Sequence, residues 1–98
     1  MIEKLGITPG PWTVHEIEAK VYAGENPVCG MLWPTDARSV YETRRNAELI
    51  AAAPEMLEAL IELYADWENV DYHVDWIKSI IVKATGKSWE EIKRLQEE

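Results

Sequence analysis

Residues 42–63, ETRRNAELIAAAPEMLEALIEL, form an apolar run at helical spacing that is interrupted once, by Pro54. A proline inside such a run removes a backbone donor and biases the preceding residue out of the α state. It also suits the first turn of a new helix. The stretch therefore predicts two helices. The first starts from an Asp36 or Ser39 cap and runs through Tyr41, Ala47, Leu49 and Ile50 to about Ala53. The second runs from about Pro54 to Glu68, with Leu57, Leu60, Ile61, Tyr64 and Trp67 on one face. Asn46, a polar residue inside the first helix, is expected to bond to sheet backbone or a loop and hold that helix in register.

The sequence before these helices reads as strands. Thr8-Pro9-Gly10-Pro11 is a rigid, turn-rich lead-in. Residues 12–18 then alternate, with Trp12, Val14 and Glu16 on one face and Thr13, His15 and Ile17 on the other. Val21-Tyr22-Ala23 suits a short second strand and Gly24-Glu25-Asn26-Pro27 a turn. Val28 to Trp33 suits a third strand, ended by Pro34. The expected product is a three-stranded antiparallel meander over residues 8–33, stable only with one face covered. Trp12, Trp33 and Trp67 are the aromatics expected in the core between sheet and helices.

Beyond the central stretch, Asp71 can cap a third helix through Val74, Ile77, Ile81 and Ala84, which Gly86 ends after Lys83. Ser88 and Glu91 match a capping box for a last helix carrying Trp89, Ile92 and Leu95. The fold class is α+β: a small antiparallel sheet packed against helices, with a helical C-terminal half. At 98 residues the chain is expected to be one domain, made of the meander at 8–33, two helices over 37–68 and two more over 71–98.

Charge narrows the function classes. The net charge of −8 is uneven: residues 1–47 hold six acids against five bases, and residues 48–98 hold twelve against five. This balance argues against nonspecific nucleic-acid binding and against anionic membranes, both of which need clustered Lys and Arg. It permits docking on a basic partner, and solubility alone would also explain it. The single cysteine, Cys29, has no internal disulfide partner, so a reducing cytoplasm is the expected setting. No apolar run approaches the roughly 18 residues of a membrane span. A short core and five tryptophans favour a homodimer over a monomer.

The chemistry-bearing residues point more to binding than to catalysis. Thr85-Gly86-Lys87-Ser88 looks like the end of a phosphate loop, but such a loop needs a glycine where Ile81 stands. A helix end followed by a serine cap explains the string better. His15 and His73 match no metal-ligand spacing, and Cys29 with His15 is the only conceivable nucleophile–base pair. Neither an enzyme nor a bound cofactor is expected. Two surfaces remain. Tyr41, Arg44 and Arg45, with Glu48, share a face of the first helix, and with Trp33 they could hold an anionic, nucleotide-like ligand. An Arg44–Glu48 ion pair, with the Arg45 stem covering Trp33, is the structural alternative. On the second helix Glu55, Glu58, Glu62 and Asp66 form an acidic row. Glu58, Glu62 and Asp66, with an exposed Trp76 off the Ile77/Ile81 stripe, are the candidate protein-binding residues, and a solvated face opposite the apolar stripe is the structural alternative for the acidic row.

A Pro9-Gly10-Pro11-Trp12-Thr13-Val14 opening, followed by Asn46 to Leu60 (NAELIAAAPEMLEAL), resembles a family of small phage and prophage proteins. Their pattern is roughly PGPW near the start and NAxLIAAAPxLLxAL in the middle. The resemblance covers about residues 8–63, and the last third reads as particular to this chain. It implies a phage accessory protein in the host cytoplasm that binds a host macromolecule, such as a host-takeover or anti-defence inhibitor. The alternative it implies is an oligomer that sequesters a small nucleotide signal. It carries no active-site motif onto these residues.

Overall fold

The structure, a computed structural model, describes residues 1–15, 20–30, 39–67 and 75–97. It is an α+β fold with a three-stranded antiparallel sheet and four α-helices. The chain divides into two compact units, residues 8–54 and residues 1–7 with 55–98.

The first unit holds the sheet, in the order β1 (Trp12–His15), β2 (Lys20–Ala23), β3 (Asn26–Gly30). Trp12 and Val14 are half-buried while Thr13 and His15 are exposed, as the alternation requires. Trp12 also donates its indole N–H to the Thr8 carbonyl at 3.1 Å, which ties the proline-rich lead-in to the first strand. The turn is shorter than expected. Ala23 pairs with Asn26 across a two-residue Gly24–Glu25 loop, and Gly24, at φ 62°, supplies the positive φ such a hairpin demands. Asn26 and Pro27 therefore belong to β3. The edge position tolerates the proline, which has no ladder N–H to give, and a bulge passes over Val28 between the Val21–Cys29 and Tyr22–Pro27 pairs. The expected strand residues 16–18 and 31–33 lie outside the described residues.

Helix α1 (Val40–Ala51) packs in the same unit against β1 and β2. Ser39 is its cap: its Oγ accepts the Glu42 amide N–H at 3.1 Å. Asp36 lies outside the described residues. The buried face is narrower than the apolar pattern suggested. Thr43 and Ala47, one turn apart, are buried, with Val21 of β2 fully enclosed. Small side chains let the helix approach the sheet closely, and the Thr43 hydroxyl donates to the Ser39 carbonyl at 3.1 Å. Tyr41 and Leu49, about 140° round the helix from that face, are 80% and 61% exposed. Asn46 is also exposed and its side chain has no hydrogen-bond partner among the described residues, so it does not hold the register.

The second unit is helical. Helix α2 (Ala53–Trp67) begins after Ala52, whose N–H closes the end of α1 on the Glu48 and Leu49 carbonyls at 3.2 Å. Pro54 sits in the first turn of α2, where a missing N–H costs nothing because no intrahelical acceptor awaits it. The break thus falls at Ala52, and Ala53 is helical despite preceding a proline. Leu57, Ile61 and Tyr64 of α2 meet Ile77 and Ile81 of α3 (Asp75–Thr85) and Trp89 and Ile92 of α4 (Trp89–Glu97) in one core. Ile2 and Leu5 complete it from a 3-10 turn at Glu3–Leu5, pinned where Lys4 Nζ donates to the Leu95 carbonyl at 3.1 Å.

Of the tryptophans expected in the core, Trp12 is half-buried and Trp67 is not buried. Among the described residues Trp89 is the buried one, edge-on to Tyr64 at 4.6 Å between ring centroids. Trp67 follows Tyr64 by three residues, about 60° further round α2, and is 41% exposed. Trp33 lies outside the described residues.

Candidate functional site

The basic surface is built on α1. Ser39 starts the helix and Glu42 falls in its first turn, so Tyr41, Arg44, Arg45 and Glu48 come to one exposed face. That face is partly neutralised from within. Glu48 receives Arg44 Nε at 3.6 Å and Arg45 Nη1 at 3.4 Å. The expected Arg44–Glu48 pair forms, and Arg45 joins it. One carboxylate bridging two guanidiniums leaves a net single positive charge on the face, in an exposed setting where each pair is worth well under about 1 kcal/mol. Trp33, the aromatic expected to complete a ligand site here, lies outside the described residues.

The acidic surface is built on α2. Burial of Leu57, Ile61 and Tyr64 turns Glu55, Glu58, Glu62 and Asp66 outward on the other side of the helix, and all four are exposed. Among the described residues none of the four takes part in an ion pair. Their spacing makes three successive like-charged neighbours, Glu55–Glu58, Glu58–Glu62 and Glu62–Asp66. Each pair costs a helix about 0.2–0.5 kcal/mol. Asp66 also stands in the last turn, where a negative charge opposes the helix dipole.

The middle of this row borders a cavity of about 190 Å³ within the helical unit, lined by Met1, Glu58, Ile61, Glu62 and Gln96. Its floor is the buried Ile61 and its rim carries two carboxylates one turn apart. Met1 and Gln96 had no sequence signal for this position, because packing of the chain's first and last turns brings them to α2. Beside it the N-terminal ammonium pairs with Glu3 at 3.5 Å. The Glu3 carboxyl is held below the usual carboxylate range, first by a hydrogen bond from its own backbone amide and then by that ammonium.

Catalytic and metal-binding arrangements are weaker. Val14 pairs with Val21 and Val21 with Cys29, whereas His15 pairs with Lys20. Laterally paired residues share a face, so Cys29 and His15 project from opposite faces of the sheet and cannot form a nucleophile–base pair. His73 lies outside the described residues. No three His, Cys, Asp or Glu side chains among the described residues are grouped to hold a metal ion. The Thr85–Ser88 string is the helix end expected of it. Gly86, at φ 70°, closes α3 on the Val82 carbonyl at 2.9 Å, and Ser88 caps α4 through the Glu91 amide at 3.3 Å. Trp76 is 63% exposed on α3.

A family model described as Salmonella phage P22 protein Y8K6 matches residues 1–88. The chain belongs to that family. It is thus a member of a phage protein family, as the opening and central strings implied. The match also corrects the extent of the likeness: the family pattern reaches through α3 to the cap of α4, so only residues 89–98 lie beyond it. The missed part, an ordinary amphipathic helix and a short N-terminal turn, contains no distinctive string. No curated protein and no solved structure matches the chain. Among the described residues of this P22-type chain, no helix is long and apolar enough to cross a membrane.

Proposed function

We infer that this protein is a non-enzymatic phage accessory protein that binds a basic host macromolecule through the acidic face of α2. The observation that carries this reading is the row Glu55, Glu58, Glu62 and Asp66, exposed and free of ion pairs among the described residues. A solvated helix needs no such row. Alternating Lys with Glu would give equal solubility and add stability where like charges subtract it. A cationic partner removes the repulsion on binding, so the cost in the free protein becomes a gain in the complex. The cavity between Glu58 and Glu62 suits a lysine or arginine side chain, with its alkyl stem against Met1 and its charge between the carboxylates. Host-takeover or anti-defence inhibition is the role that such binding would serve in a phage protein.

The test is a pull-down from host lysate with the wild type and a Glu58→Gln/Glu62→Gln/Asp66→Asn variant. A basic protein retained by the wild type and lost by the variant, with capture weakening as salt rises, supports the reading. Equal retention by both proteins contradicts it. The alternative, a nucleotide-like ligand held by Tyr41, Arg44 and Arg45, is less well supported because Glu48 already engages both guanidiniums.

A further inference from the structure

We draw no further inference here: the strongest candidate, the exposed apolar stripe of Met56, Leu63 and Trp67 along α2, carries none because nothing in the structure shows what covers it.

Discussion

Ile81 and Ile92 are both fully enclosed, and each shows how one side chain holds the helical unit. Truncating Ile81 to alanine removes buried methylene groups and leaves a cavity, at a cost of about 2–5 kcal/mol. Denaturant unfolding of Ile81→Ala should report that loss; a change under about 1 kcal/mol would mean that the site collapses or is not core. Ser88 has a smaller part. Its hydroxyl accepts the Glu91 amide, and Glu91 Oε1 returns to the Ser88 amide at 3.4 Å, so Ser88→Ala should cost about 1 kcal/mol. This box was legible because Ser and Glu three apart precede an apolar run. The same signal stands at Ser39 and Glu42, where it marks the start of α1 better than Asp36 does. At Glu3 the depressed carboxyl has a definite sign. Whatever stability it contributes is present above the ordinary carboxylate pKa and is lost as pH falls through the lower folded value. Because that carboxyl is fully exposed, solvent screens the effect, and Glu3→Gln should leave the melting curve at neutral pH almost unmoved.

Helix α2 is the element that joins the helical core to the proposed binding surface. Its circumference divides into a buried third, an exposed apolar stripe and an acidic row, and only the first stabilises the free chain. Removing the three like-charged contacts is expected to raise stability by about 0.6–1.5 kcal/mol in Glu58→Gln/Glu62→Gln/Asp66→Asn, read from the thermal midpoint. A clear loss of stability would mean that these carboxylates hold the fold. The helices themselves were readable because caps, a proline and periodicity agree at each end. What was not readable is which part of each apolar arc is buried. On α1 the apolar residues Tyr41, Leu49 and Ile50 spread around the helix and mark no single face, and the sheet takes Thr43 and Ala47, where backbone approach matters more than side-chain size. On α2 the one-dimensional pattern could not separate Tyr64, in the core, from Trp67, beside it. The Gly24–Glu25 turn was placed two residues too long for a related reason: a proline at an edge strand looks, in sequence, like a turn residue.

At the scale of the whole molecule, the chain is an α+β member of a phage protein family whose charge is gathered on its helical half. That asymmetry was visible in composition alone. Its arrangement was not, because the cavity beside Glu58 and Glu62 needs Met1 and Gln96 from opposite ends of the sequence. The basic and acidic faces also looked equivalent until Glu48 was seen to bridge both arginines. The acidic row of α2, free of ion pairs among the described residues, is proposed to capture a basic host partner. That role is tested most directly by quantitative capture from host lysate with wild type and Glu58→Gln/Glu62→Gln/Asp66→Asn side by side, both shown folded by circular dichroism. One basic protein is expected to be held by the wild type and reduced at least about tenfold by the variant, equivalent to some 1.4 kcal/mol of binding. Capture of that protein at equal levels by a folded variant would contradict it.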